Sequence, residues 1–390
     1  MSRKLTIGVL FGGRSTEHQV SLVSATSVLN ALDSDKYDIV PIGITPDGQW
    51  LVGQHALALL KQGKMDPQLK VFLPADPTIK KLARIDTGDY GEKIDVVFPV
   101  LHGAFGEDGT MQGLLELADL PYVGADVLGS AVAMDKILQK QVCVQAGLPA
   151  VDYVWFRAVD WFAQSDGPAP VIEKQLANMS QEEIVQTIEE QLGLPVFIKP
   201  PNLGSSVGIS RAAHHDELCA GIELALQFDR KVLIEAAVPN ARELEVAVLG
   251  NDRPRASVAG EVIPSNEFYD YDAKYVDNAS KLVIPADVPE KIHDAIREAA
   301  VKSVIAVGAE GMSRVDFILD SRTNKFYLNE INTIPGFTSI SMYPKLWAAT
   351  GLSYPELLDE LIRLAIERHD KKAALKTSYQ PTKEWHKNQG

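Results

Sequence analysis

SRVDFILDSRTNKFYLNEINTIPGFTSIS, residues 313–341, reads as two strands joined by the polar turn Asp320-Ser321-Arg322-Thr323-Asn324 and followed by a Pro-Gly loop. Side chains alternate faces along a strand. Arg314 and Asp316 therefore share one face, with Val315, Phe317 and Leu319 on the other. In the second strand Glu330 and Asn332 share a face, with Tyr327 and Ile331 expected opposite. A register that sets Asp316 across from Glu330 crowds two carboxylates, an amide oxygen and a guanidinium onto one patch. Two like charges ~4 Å apart repel by ~4 kcal/mol at an effective dielectric of ~20, so a bare pair is unfavourable there. A hard divalent cation removes that conflict, and an all-oxygen donor set with few carboxylates suits magnesium carrying polyphosphate.

A hairpin with one packed and one wet face explains the Asp and the Arg equally well. It leaves Asn329-Glu330-Ile331-Asn332 running into Thr333-Ile334-Pro335-Gly336 without account. Strand ends and loops are where functional groups sit. The site reading therefore needs partners elsewhere in the chain.

At 390 residues the chain is too long for one ordinary core, and two or three domains are expected. The 38 basic against 52 acidic residues, net −14, argue against a nucleic-acid surface, which needs a basic footprint. A local cluster of Lys, Arg and backbone N–H groups still suffices for an anionic ligand. The two cysteines, Cys143 and Cys219, fall in apolar helical patterns and fit reduced thiols in a cytoplasmic protein. The apolar run Leu5–Phe11 ends at Gly-Gly without a cleavage site, so it reads as a first buried strand rather than a signal peptide. No stretch reaches the length of a membrane span.

After that first strand, GGRSTEHQVS turns into a helix that Ser15 or Thr16 can cap, leaving Glu17 in the first turn as a capping carboxylate. Tyr37–Ile44 is a second strand. A long, irregular stretch then runs to about Gly91. Asp95–Val100 is a third strand, ending in LHGAFGEDGT (101–110) just before the amphipathic helix Met111–Leu120. A glycine-rich loop at the carboxyl end of a parallel sheet is where ligands bind in open α/β folds. His102 beside it is either a structural hydrogen-bonder or a ligand contact. Ser130–Gly147 reads as one helix, and about 157–177 as a surface insertion without periodicity. Pro195–Pro200 is a strand ending on Lys199, followed by the small-residue loop Asn202–Ile209. Alone this is an ordinary turn; with a lysine at its mouth it can also fold over a phosphate chain through backbone N–H donors. Residues 262–284 hold FYDYDAKYVDNAS, a length of non-periodic chain usual for a functional lid or for disorder.

Taken in order, FGGRSTEHQVSL, LHGAFGEDGTMQG, AMDK, FIKPPNLGSSVGIS, ELEVAVLG, FYDYDAKY, GMSRVDF and NEINTIPGFTSISMYP resemble the D-alanine–D-alanine ligases, from Gly12 to about Pro344. The resemblance implies an ATP-grasp enzyme: an N-terminal open parallel α/β domain, then two α+β lobes holding ATP between two sheets. The expected division is 1–130, 131–250 and 251–375, with the lid at 262–284 and a tail at 376–390. The implied reaction is ATP-dependent ligation of two D-alanine molecules through an acyl phosphate, supplying peptidoglycan precursors, by a homodimer with no nucleic-acid or membrane partner.

Carried over by position, the resemblance gives Asp316, Glu330 and Asn332 to two magnesium ions, for which manganese is a substitute. Lys136 and Lys199 fall to the ATP phosphates, Glu235 and Glu243 to adenine and ribose, and Ser205-Ser206-Val207-Gly208 to a cover over the triphosphate. Glu17 pairs with the first D-alanine's ammonium and His102 lies near its carboxylate. Arg314 and the Gly336 N–H stabilise the tetrahedral oxyanion. Ser341, followed by Met342, contacts the second D-alanine. Lys274 and Tyr275 occupy the lid tip, Tyr275 reaching Ser205 and Glu17. One departure is Ala236-Ala237, where many relatives carry a lysine and a bulky residue, so backbone rather than side-chain contacts to adenine are expected there. Three alternatives remain: a depsipeptide ligase on the same scaffold, another ATP-grasp ligase, and a nucleotide-binding regulator without catalysis.

Overall fold

The computed structural model describes residues 3–162, 179–263, 281–338 and 340–379. The chain begins with β1 (Leu5–Gly12), α1 (His18–Ala31), β2 (Tyr37–Ile44), β3 (Trp50–Val52), α2 (Ala56–Lys61), β4 (Lys70–Phe72), β5 (Lys81–Arg84), β6 (Tyr90–Lys93) and β7 (Val96–Val100). These strands form one sheet in the order β6-β5-β4-β3-β2-β1-β7. β1 is parallel to both β2 and β7, the three strands expected from the apolar runs. The sheet is not parallel throughout. Residues 45–91, expected to be irregular, supply four short antiparallel strands that extend it from β2. β6 is exposed along its whole length, so it lacks the alternation that betrays a strand.

Next come α3 (Thr110–Leu117), α4 (Val127–Met134) and α5 (Lys136–Gln145). The single helix expected over 130–147 is two helices broken at Asp135. That residue leaves the helical region, and its carboxylate accepts from the N–H groups of Ile137 (3.1 Å) and Leu138 (3.2 Å), capping α5. The second sheet is made by β8 (Tyr153–Arg157), β9 (Val196–Lys199), β10 (Ser210–Ala212) and β11 (Lys231–Ala236), in the order β10-β9-β11-β8. Three helices accompany it: α6 (Ala158–Phe162), α7 (Gln181–Leu192) and α8 (His215–Ala225). The expected insertion therefore starts as the end of β8 and a short helix whose Trp161 is buried; its remainder lies outside the described residues.

The third sheet runs β14-β13-β12-β15-β16, all antiparallel. It comprises β12 (Ala241–Gly250), β13 (Arg255–Ile263), β14 (Lys281–Val283), β15 (Gly311–Asp320) and β16 (Phe326–Asn332). Helix α9 (Glu290–Ala306) lies between β14 and β15, and α10 (Met342–Ala349) and α11 (Tyr354–Ala373) follow β16. Trp347 and Tyr343 of α10 are fully buried in a core shared with Ile7, Val9 and Phe11 of β1. Burying such rings is the largest apolar contribution a single residue makes, on the order of 2–3 kcal/mol each. Phe337 packs edge-on against Phe98 of β7, ring centres 6.1 Å apart. This shared core presses the 333–338 loop against the carboxyl end of the first sheet.

Candidate active site

The opening hairpin folds as its alternation requires. In β15 Val315, Phe317 and Leu319 are buried while Arg314, Asp316 and Ile318 are partly open. Asp316 stands opposite Glu330, and Arg314 opposite Asn332. An irregularity then intervenes: the pairs go from Asp316↔Glu330 to Phe317↔Leu328, leaving Asn329 as a bulge. Tyr327 consequently pairs with Ile318 and shares the face of Asp316, not the face of Ile331 as expected from strict alternation. Leu328 takes the core place instead.

The carboxylates on this face are neutralised by cations. Arg314 grips Asp316 with two hydrogen bonds, Nε to Oδ1 at 2.7 Å and Nη2 to Oδ2 at 2.6 Å. Its Nε also lies 2.9 Å from Oε2 of Glu245, which is opposite Asp316 on β12. Burial works against the guanidinium charge, but Asp316 and Glu245 outweigh it and hold Arg314 protonated well above its usual range. Asn332 donates from Nδ2 to Asp316 Oδ2 at 3.1 Å. Lys136 Nζ sits 3.1 Å from Glu330 Oε2 and donates to the Leu203 carbonyl at 2.8 Å. Glu243, two residues before Glu245, lies on the same face of β12, opposite Ile318.

The 201–209 loop is fastened at its base. Asn202 donates to the Asp229 carboxylate from its backbone N–H (2.9 Å) and side chain (2.8 Å), and the Lys136 N–H donates to the Pro201 carbonyl at 3.2 Å. Ser205 and Ser206 both have positive φ, 51° and 58°, a conformation that costs an L-residue roughly 1–2 kcal/mol. The Ser205 hydroxyl donates to Oε1 of the buried Glu17 in a short hydrogen bond, and the Val207 N–H turns back to the Gly204 carbonyl at 3.2 Å. Behind this loop, Lys199 Nζ lies 2.5 Å from Glu235 Oε2 and donates to Asn329 Oδ1 at 3.1 Å. Glu235 is not free for a ligand in this arrangement, because Lys140 lies 2.5 Å from its other oxygen. Burial alone would lift the Glu235 carboxyl; the two lysines outweigh it and hold it down to about 2. The N–H groups of Ala236 and Ala237 are likewise taken, by the Asp152 and Pro195 carbonyls at 3.0 and 3.1 Å.

Glu17 does not sit inside helix α1. The helix starts at His18, and the Ser15 hydroxyl accepts from the Glu17 N–H at 3.1 Å while donating to the His102 carbonyl at 2.7 Å. His102 is buried with both ring nitrogens engaged. Nδ1 donates to the Ile334 carbonyl at 3.0 Å, which leaves Nε2 to accept from the Ser24 hydroxyl at 3.0 Å. Burial lowers the affinity of the ring for a second proton, despite Glu17 nearby. Glu107 accepts from the N–H groups of Gly103 (2.7 Å) and Ile334 (3.1 Å). Burial and the neighbouring Glu17 push its carboxyl up to about 8. His102 and Glu107 thus tie the first sheet to the loop bearing Gly336.

Ser341 Oγ accepts from the Thr338 N–H at 3.0 Å and shares a 2.7 Å hydrogen bond with the Thr338 hydroxyl, so it braces the Gly336 loop. The Met342 side chain packs into the core. Lys274 and Tyr275 lie outside the described residues.

The same architecture recurs in known proteins. The description "D-ala D-ala ligase N-terminus" matches residues 6–125 and "D-ala D-ala ligase C-terminus" matches residues 142–363. The D-alanine–D-alanine ligase of Natranaerobius thermophilus is 46% identical over 378 residues, covering 97% of this chain and 99% of that protein. The chain belongs to the D-alanine–D-alanine ligase family. The ligase of Clostridium novyi is 49% identical over 369 residues, 94% of this chain and 100% of that protein. Among solved structures, the VanG D-Ala:D-Ser ligase from Enterococcus faecalis superposes with a TM-score of 0.79 at 37% identity, over 93% of this chain and 100% of that one. The D-alanine–D-alanine ligase from Coxiella burnetii gives 0.77 at 36% identity, over 95% and 97%.

Three charged residues of this ligase site escaped the reading of the sequence. Lys140 follows Lys136 by one helical turn, which places both on one face. Glu245 follows Glu243 by two along a strand, which does the same. Glu107 stands within the HGAFGEDG segment. For Lys140 and Glu245 the spacing is a usable signal. No helix among the described residues is long and apolar enough to cross a membrane.

Proposed function

We propose that the chain joins two D-alanine molecules into D-alanyl-D-alanine through an acyl phosphate, with ATP cleaved to ADP and phosphate, for peptidoglycan precursor synthesis. The observation that carries this reading is the Asp316–Glu330 register beside Arg314, Lys136 and Lys199. Asp316, Glu330 and Asn332 offer an all-oxygen donor set suited to magnesium. Oxygens of the nucleotide phosphates would complete the coordination of the ion. When bound, magnesium neutralises charge on the phosphates.

A carboxylate is a poor electrophile, so the γ-phosphoryl group is first transferred to the carboxylate of the first D-alanine. The bond to ADP breaks as the bond to the acyl oxygen forms. Lys136 and Lys199 position and neutralise the triphosphate in that transfer, in which positioning and electrostatics do most of the catalysis. Glu17 holds the ammonium of the first D-alanine, and Ser205 links it to the loop over the phosphates. The amine of the second D-alanine then attacks the acyl carbon. Arg314 and the Gly336 N–H meet the oxyanion, an interaction often worth about 3–4 kcal/mol. The C–O bond to phosphate breaks and the dipeptide remains.

The reading carries with it the domain division at about 130 and 250, a homodimer, and action in the cytoplasm. It is tested by following ADP release with purified protein, ATP, magnesium and one amino acid at a time. D-alanine is expected to drive release, while L-alanine is not. Product from D-alanine mixed with D-serine or D-lactate tests the choice of second substrate. Turnover no greater with D-alanine than without it would overturn the assignment.

A further inference from the structure

Glu235 is a buried carboxylate held by two buried lysines. Lys140 and Lys199 each approach one of its oxygens to 2.5 Å. The lysines differ in every other respect. The Lys140 side chain is 1% exposed and its ammonium also reaches the Leu328 carbonyl at 3.3 Å, so it lies under the sheet surface. Lys199 ends β9 at the mouth of the 201–209 loop, and its ammonium also contacts Asn329, next to Glu330. Only Lys199 opens onto the site.

We infer that Lys140 is a positioning residue that frees Lys199 for the nucleotide. This inference rests on the assignment of Lys199 to the ATP phosphates. A lysine that moves its charge toward a phosphate must loosen its hold on Glu235. Were it the sole counter-ion, that movement would strand a buried carboxylate, a strongly unfavourable outcome. Lys140 remains on Glu235 and removes the penalty. Without Lys140, Glu235 keeps Lys199 for itself and nucleotide binding weakens. Lys140 touches no substrate; it acts through Glu235.

The test compares wild type, Lys140→Met, Glu235→Gln and the double variant. ADP with magnesium is titrated calorimetrically, and KM is measured separately for ATP and for D-alanine. Lys140→Met is expected to weaken ADP binding and raise the KM for ATP by on the order of tenfold to a hundredfold, typical of groups that orient a ligand-binding residue. The KM for D-alanine should stay within about twofold. In the Glu235→Gln background the same Lys140→Met change should have almost no effect, because the charge it neutralised is gone. Where Lys140→Met alone does not fold, a loss of ADP affinity on adding Lys140→Met to Glu235→Gln still overturns the inference. Unchanged ADP affinity in Lys140→Met, or an equal loss with and without Glu235, would overturn the inference. Failure of the wild type to bind ADP would instead refute the nucleotide site itself.

Discussion

Arg314 holds Asp316 through two hydrogen bonds of 2.6–2.7 Å, on the strand face where Asp316 meets Glu330. An acidic pair that repels when bare is thus held ready by its neighbours, with Lys136 beside Glu330. On the proposed function, a cation entering here would exchange one set of positive partners for another, rather than fill an empty charge well.

That exchange predicts the behaviour of Asp316→Asn. The hairpin should form, since the change removes charge from a partly open face. The magnesium concentration needed for half-maximal turnover should rise about tenfold or more. A magnesium titration alongside thermal unfolding checks this, and an unshifted titration would remove Asp316 from the metal site.

Arg314→Ala should lower kcat by roughly 100- to 1,000-fold, the usual effect of losing an oxyanion donor. Glu245→Gln should cost far less, because Asp316 continues to orient the guanidinium. Steady-state kinetics with circular dichroism separate chemistry from folding. Near-wild-type turnover in Arg314→Ala would take this residue out of the reaction.

A Cβ on Gly204 would lie 2.9 Å from Glu17 Oε2, the end of a flexible side chain. Gly204→Ala should therefore displace the carboxylate rather than unfold the protein. We expect the KM for D-alanine to rise about tenfold while the melting temperature moves by a few degrees at most. The opposite pattern, a large loss of stability with normal KM, would contradict the placement of Glu17.

Glu235 titrates at about 2 in the fold, against 4.5 for an ordinary glutamate. A depressed value means the native state binds this proton less readily than the unfolded chain. The stabilising contribution is full above 4.5 and is lost as pH falls through 2. Glu235→Gln should flatten the acid limb of a stability–pH curve, by up to about 1.4 kcal/mol per pH unit between those values. Identical slopes for both proteins would show that the carboxylate is not held by Lys140 and Lys199.

Much of this was legible from residue spacing. The two-residue period of 313–319 placed Arg314 and Asp316 against Val315 and Phe317, and the buried faces follow it. Tyr327 was misplaced because a bulge at Asn329 changes the register by one, and no local signal marks it. The strands between 45 and 93 are hard to read because three or four residues are too few to show a period, and the edge strand β6 is exposed throughout. The break at Asp135 was readable, as an Asp before a new helical turn is a capping signal. The contacts of Glu235 were not. They depend on Lys140 and Lys199, which are far apart in sequence and meet only when α5 packs against β16 and the second sheet closes over it.

The central claim is that the first substrate's carboxylate is activated by phosphoryl transfer at the Arg314–Asp316–Glu330 face. It is tested most directly with D-alanine labelled with 18O in its carboxylate, by mass spectrometry of the phosphate released. An acyl phosphate passes one labelled oxygen from each first-position D-alanine to inorganic phosphate as the peptide bond forms. Phosphate carrying that label is the predicted result; dipeptide formed with unlabelled phosphate would contradict the mechanism.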